Sequence, residues 1–186
     1  MNSPHPCTHN SLLLQQAALA GQTVGFTCPV CNSSVHKEAW FNSEAAQKEG
    51  NLREHGECPI CGATNRYRQL AHVLTRVMGA LTGKALNDLS DLGDMPLKIY
   101  NTQCSGALNT HLQKANGHTC SEYFPEATAS GVIIEGVLHQ DLQATSFPDA
   151  EFDLVISSEV FEHIPGESCT QRLLSSGQSG WQAALG

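Results

Sequence analysis

Four cysteines in two short pairs are the residues of this chain best spaced for metal chemistry. Cys28-Pro29-Val30-Cys31 and Cys58-Pro59-Ile60-Cys61 are two copies of one knuckle, 26 residues apart. Tetrahedral Zn2+ takes four thiolates at about 2.3 Å, and two facing C-x-x-C turns supply them. The residue after each second cysteine is Asn32 or Gly62, types that tolerate the positive φ such turns often need. With all four positions filled by protein no place remains for a reacting water, so the metal is read as structural. A pair of redox motifs is the rival reading, but neither pair follows a strand and opens a helix as a thioredoxin-like site does. The gap exceeds the usual ribbon spacing of ~15–20 residues, so a lobe carrying Trp40-Phe41 is expected to loop out between the knuckles. Cys7, Cys104, Cys120 and Cys169 are scattered and read as ordinary thiols.

Three carboxylates form the second candidate set. Glu122 ends a strand-like run over 118–124, Asp141 follows Val137-Leu138, and Glu159 follows the apolar run 152–156 through Ser157-Ser158. In an open α/β sheet, ligands bind outside the carboxyl ends of the strands, so acids at neighbouring strand ends point to one shared pocket. An acid at the position of Glu122 can accept both hydroxyls of a ribose, as in dinucleotide sites. The plainer reading is a solvated acid at a strand end.

The elements needed to position these groups are legible in outline. Tyr67, Leu70, Leu74, Val77, Met78 and Leu81 recur at helical spacing. Thr64 or Asn65 can cap that helix and Gly83 can end it. The stripe is core packing rather than a cofactor box. Residues 84–96 read as an acidic linker. After it come a first strand over 97–100, a helix over 105–115, a second strand over 118–124, a loop over 125–136, and strands three and four. Strands alternating with a helix imply parallel pairing with right-handed crossovers. Residues 166–186, rich in Ser, Gly and Gln, hold no strand-like run and read as an irregular tail. The expected organisation is therefore a disordered lead and short helix over 1–20, a zinc-ribbon-like element with its helix over 21–84, a partial α/β core over 97–165, and the tail.

The segment from 136 to 165, GVLHQDLQATSFPDAEFDLVISSEVFEHIP, resembles the class I, Rossmann-like S-adenosylmethionine-dependent methyltransferases. Asp141-Leu142, Phe147, Asp149, Phe152-Asp153, Val155, Val160 and Glu162-His163 match their third and fourth strands. The knuckle pair followed by Arg66-Tyr67-Arg68 is similar to an N-terminal zinc-ribbon-like element that some of these enzymes carry. The resemblance implies an incomplete Rossmann-like parallel sheet of about four strands behind a small four-cysteine element. It also implies methyl transfer, by a chain whose C-terminal half of the catalytic domain is expected to be missing. S-adenosylmethionine and a structural Zn2+ are the implied cofactors.

The family's glycine-rich turn corresponds here to Asn101-Thr102-Gln103-Cys104-Ser105-Gly106-Ala107, with a single glycine. Asn101, Ser105 and Gly106 would face the cofactor's amino-acid part, where a helix start also offers N–H donors. Glu122 would hold the ribose, Asp141 and the Leu142 backbone the adenine, and Ser158 and Glu159 the methyl-donor region. Glu159, Glu162 and His163 are the candidates for a base, with His163 read first as a structural hydrogen-bonder.

Charge narrows the partners. Net charge is -8, with residues 85–186 holding 3 basic and 13 acidic side chains. Such a surface is a poor match for phosphates, so no nucleic acid is expected. It suits a cationic ligand such as a sulfonium, although acidic surfaces also serve solubility. No apolar run reaches the ~20 residues needed to span a bilayer, so no membrane association is expected and the chain is read as cytoplasmic. A small-molecule or glycan-type acceptor is carried as the expectation, with self-association through an exposed sheet edge. The rival from another class is a non-catalytic zinc-binding module with a remnant half-sheet. A nicotinamide enzyme is disfavoured because G-x-G-x-x-G is missing.

Overall fold

The computed structural model describes residues 25–36, 56–90, 92–127, 129–164 and 182–185, with backbone alone at 25–26, 35–36 and 182–185. The expected lead and helix over 1–20, the lobe over 37–55, Cys7 and Cys169 lie outside these residues.

The first knuckle sits in a hairpin. Strand β1 (Gly25–Thr27) pairs antiparallel with β2 (Ser34–His36). The second knuckle, over 58–61, has no strand among the described residues, which show a cysteine cluster with one hairpin. Helix α1 (Asn65–Thr82) follows. The Thr64 hydroxyl accepts the Tyr67 N–H at 3.5 Å, satisfying one of the free donors of the first turn. Gly83 closes the helix at φ 69°, the left-handed cap that glycine takes without strain. Leu70, Leu74 and Met78 are buried as their spacing requires, whereas Leu81 stays 38% exposed.

Residues 84–96 are not a linker. Leu89, Leu92 and Met95 join the same buried cluster as Cys28, Cys58, Leu74, Ile99 and Ile156. The Leu89 N–H also donates to the Pro29 carbonyl at 2.9 Å. One continuous core thus spans the cysteine element and the sheet, which the expected division at 84 and 97 separates.

The sheet is parallel. Strand β3 (Ile99–Asn101) pairs on one side with β4 (His118–Cys120) and on the other with β7 (Leu154–Ser157). Helix α2 (Gly106–Leu112) makes the β3–β4 crossover. The expected third strand behaves differently. Strands β5 (Ile133–Ile134) and β6 (Val137–Leu138) form an antiparallel hairpin. Glu135 and Gly136 turn it with φ of 49° and 82°, the positive pair that a two-residue primed turn needs. Among the described residues this hairpin is joined to the sheet through a parallel bridge between Glu122 and His139. The irregular tail is also corrected, because β8 (Gln182–Leu185) pairs parallel with β7. The edge expected to be open at β7 is therefore covered. The spatial order is β6, β4, β3, β7, β8, with the bridge standing in for the first pairing.

Gly117 shows how tightly the crossover closes. A Cβ there would lie 2.2 Å from the Leu97 carbonyl oxygen, a backbone atom that cannot swing away. Gly117→Ala is expected to cost about 1–3 kcal/mol, read as a fall in the midpoint of urea unfolding.

Candidate cofactor crevice and cysteine cluster

The cysteine cluster is built by two local turns that repeat each other. The Cys28 N–H donates to the Ser33 carbonyl at 2.9 Å and the Asn32 N–H to the Cys28 carbonyl at 2.8 Å. The Cys58 N–H to Ala63 O and the Gly62 N–H to Cys58 O are both 2.8 Å. Asn32 and Gly62 take φ of 60° and 74°, the left-handed values that the knuckle turns demand. The four sulfurs of Cys28, Cys31, Cys58 and Cys61 lie within 4.8 Å of one another. The Cys28–Cys61 and Cys31–Cys58 separations are 3.9 and 3.8 Å. Those distances are far beyond the ~2.05 Å of a disulfide. They match the edge of about 3.8 Å that Zn–S bonds of ~2.3 Å give a tetrahedron, so the donor set fits zinc.

Burial pushes the Cys28 thiol up to about 11 and the Cys61 thiol higher still. At Cys31 burial also works upward, but hydrogen bonding with Ser33 outweighs it and the thiol is lowered. Arg68 lies buried beside the cluster. Its guanidinium donates to the carbonyls of Gly56 and Ala63 at 2.5 and 2.7 Å and to Asn65 Oδ1 at 2.8 Å. Burial lowers it to about 10, opposed by the charges of Cys28, Cys58 and Cys61. A cation here offsets the negative charge that four thiolates bring to a metal.

The carboxyl ends of β4, β3, β7 and β8 share one edge because all their pairings are parallel. The chain leaves β3 for β4 on one side and reaches β7 on the other, so the switch point of the sheet lies between β3 and β7. There the Thr102 N–H donates to the Ile156 carbonyl at 3.0 Å. Thr102 Oγ1, Ser157 Oγ and Ser158 Oγ are buried with no hydrogen-bond partner among the described residues. Buried hydroxyls normally find partners. Three unmet ones at the switch point fit a polar ligand there. Thr102 and Ser157 were not legible as site residues, since a lone hydroxyl in a strand or loop carries no pattern.

The expected ligand residues are placed as follows. The Asn101 amide is buried and holds the next loop, donating to Gln103 O at 2.5 Å and Asn109 Oδ1 at 3.0 Å. Ser105 precedes α2 without capping it, and Gly106 opens the helix at φ 83°. Glu122 Oε1 accepts the Cys104 N–H at 2.8 Å. Its backbone is tied to the β6 segment through Leu138 O and the Gln140 N–H. Asp141 turns back on its own chain, its Oδ1 accepting the Gln143 N–H at 2.8 Å. Its N–H donates to Ser130 Oγ at 2.9 Å, and Leu142 packs against the Tyr100–Phe152–Val155 cluster. Glu159 stands at φ 55° beyond β7 and forms an ion pair with Arg66. A non-glycine residue there costs of order 1–3 kcal/mol, strain that concentrates at functional sites. Glu162 and His163 lie exposed on a 3-10 turn (Phe161–His163). Glu122 and Asp141 are thus brought close in the fold across the bridge, while Glu159 stands across β3 from them, and each carboxylate already has its own partner.

Much of the motif over 136–165 is packing. Phe147 meets Phe152 edge-to-face at 4.8 Å, and Tyr100 stacks on Phe152 at 5.1 Å. Asp153 Oδ2 accepts the Lys98 N–H at 2.8 Å, docking the start of β7 on β3.

Cys104 and Cys120 are not ordinary thiols. They form a disulfide across the loop after β3 and the end of β4, with Cα atoms 5.2 Å apart. Cys120 ends a strand beside the one that Cys104 follows, which puts both at the same sheet edge. Peptide mapping after alkylation without reductant is expected to leave Cys104 and Cys120 unlabelled and joined. Labelling of both would remove the bond.

The family model described as Methyltransferase domain matches residues 77–175. That is more than half of the chain, and it takes in every strand of the sheet except β8. The chain belongs to the methyltransferase-domain family. No curated protein and no solved structure matches it. The match supports methyl transfer in general. Among the described residues no helix is long and apolar enough to cross a membrane.

Proposed function

We propose that this methyltransferase moves the methyl group of S-adenosylmethionine to a small-molecule or glycan-type acceptor, with one structural Zn2+ held by Cys28, Cys31, Cys58 and Cys61. The observation that carries the reading is the coincidence of the family match with the switch point and its three unmet hydroxyls. When bound, the cofactor supplies an electrophilic methyl on a sulfonium. The chain supplies the surroundings. Glu122 would take the ribose hydroxyls with the oxygen not used on Cys104. Asp141 and the Leu142 backbone would meet the adenine, and Asn101, Ser105 and Gly106 would shape the loop at the amino-acid part. Ser158 and Glu159 would line the methyl-donor end. Holding an acceptor in line is worth more here than proton transfer. Where the acceptor needs a base, Glu159, Glu162 and His163 are the nearest acids and imidazole in sequence to that end.

Calorimetric titration with S-adenosylmethionine and S-adenosylhomocysteine tests this. Saturable binding below the millimolar range is the expected result. No heat at millimolar ligand would leave the non-catalytic zinc-binding module as the better account. A thermal shift with S-adenosylhomocysteine is the cheaper form, since a ligand of the native state raises its stability by mass action.

A further inference from the structure

Three consecutive residues at the start of α1 join the cysteine cluster to the switch point. Arg68 faces the cluster, pinned to Gly56, Ala63 and Asn65. Arg66 and Tyr67 face the other way. The Tyr67 hydroxyl donates to Gln103 Oε1 at 3.1 Å, in the loop after β3. A Cβ on Gly106 would lie 3.9 Å from the same hydroxyl, so the tyrosine also backs the first turn of α2. The Arg66 guanidinium pairs with Glu159, beyond the end of β7, and its carbon lies 5.0 Å from the Tyr67 ring centroid. Its side chain is 13% exposed against 42% for Glu159. Two adjacent side chains therefore touch both lips of the crevice, the β3 loop and the β7 loop. Both lie outside residues 77–175, the span of the family match.

We propose that Arg66 and Tyr67 are positioning residues of the cofactor crevice. Tyr67 fixes the Gln103–Gly106 loop, and Arg66 holds Glu159 in its left-handed conformation and neutralises it beside the methyl-donor end. This rests on the methyltransferase reading. It adds that the crevice is completed by a helix anchored on the cysteine cluster rather than by the sheet alone. The charge matters because the donor is a sulfonium cation and the product, S-adenosylhomocysteine, has no charge at sulfur. With Arg66 in place, Glu159 attracts the cation weakly. With Arg66 removed, the carboxylate loses that counter-charge and favours the cationic donor over the product, and the loss of order in the β7 loop weakens both.

The test is calorimetry with both ligands on the full chain and on Arg66→Ala, Tyr67→Phe and the double variant R66A/E159Q. Metal content and melting temperature are measured alongside. Arg66→Ala is expected to weaken S-adenosylhomocysteine binding about 10-fold and to shift the ratio of the two dissociation constants at least threefold toward S-adenosylmethionine. R66A/E159Q is expected to return that ratio to its original value. Tyr67→Phe, which keeps the ring and loses the bond to Gln103, is expected to weaken both ligands about threefold with the ratio unchanged. A merely structural role for Arg66 would weaken both ligands equally and leave the ratio fixed, and that result overturns the proposal. Equal affinities in the full chain and both single variants, with metal content unchanged, overturn it as well. Failure of the unmodified chain to bind either ligand would instead remove the methyltransferase reading on which the proposal stands.

Discussion

Cys58→Ser is expected to abolish zinc binding and to lower the melting temperature by roughly 10 °C. The sulfur sits 3.8 Å from Cys31 Sγ in a buried position. A serine oxygen there is a poor soft-metal ligand and cannot restore the tetrahedral set. Structural zinc contributes an apparent ~10–16 kcal/mol to isolated zinc-finger peptides. Here much of the core is shared with the sheet, so the loss is smaller, about 3–5 kcal/mol. In a chain of this size each kcal/mol shifts the midpoint by about 2–4 °C. The measurement is metal analysis of protein purified without chelator, followed by thermal unfolding. One zinc per chain in the unmodified protein and none in the variant is the expected pair of values. No zinc in either would remove the metal from the account.

The same cluster carries a pH dependence whose sign follows from the thiols. Burial holds Cys28 at about 11 and raises Cys61, so both are protonated at neutral pH when no metal is bound. Binding must release those protons, and affinity therefore falls as pH falls. Zinc captured by a colorimetric chelator is expected to rise steeply as the pH is lowered from about 7.5 to about 5.

What the sequence disclosed and what it hid divide along a physical line. Local features were legible. Knuckle turns at Asn32 and Gly62, the cap at Thr64 and the stop at Gly83 are each decided by a few neighbouring residues. The parallel α/β class followed from the alternation of strands with α2. Features that depend on which strands lie side by side were not legible. The disulfide joins residues 16 apart with a helix between them, and only the β3–β4 pairing makes them neighbours. Arg66 meets Glu159 only because α1 packs over the edge of a sheet formed much later in the chain. Strand β8 lacks the β-branched and aromatic residues that mark strands. Its segment, Gln182-Ala183-Ala184-Leu185, is a strand because β7 offers a partner. The linker assignment over 84–96 failed for a related reason. Its acids dominate the composition, but its leucines and methionine, spaced three apart at 89, 92 and 95, do the packing.

Glu122→Ala is expected to weaken S-adenosylhomocysteine binding at least 100-fold, the largest effect of any single change in the crevice. Two consequences combine at this residue. Its Oε1 anchors the Cys104 N–H, so alanine releases the loop after β3. Its second oxygen is not used on Cys104, and in the proposed site it is the one that takes a ribose hydroxyl at the end of β4. Hydrogen bonds to a charged group are worth about 1.5–3 kcal/mol each, and losing two gives roughly 3 kcal/mol or more, the stated factor. Glu122→Gln separates the two roles. Its carbonyl oxygen still accepts the Cys104 N–H, so the loop stays in place, but the charge is gone and one acceptor becomes a donor. An intermediate loss of about 10-fold is expected for it in calorimetry. The Cys104–Cys120 bond sharpens the comparison, since it tethers the loop independently of the carboxylate. Under reducing conditions that tether opens and the Glu122 carboxylate carries more of the link between the loop and the end of β4, beside the Asn109 amide that bonds Cys104 O. The penalty of the alanine variant should then grow while that of the glutamine variant holds steady. Unchanged affinity in both variants, with and without reductant, would mean that the acid serves only the loop and that the ribose lies elsewhere.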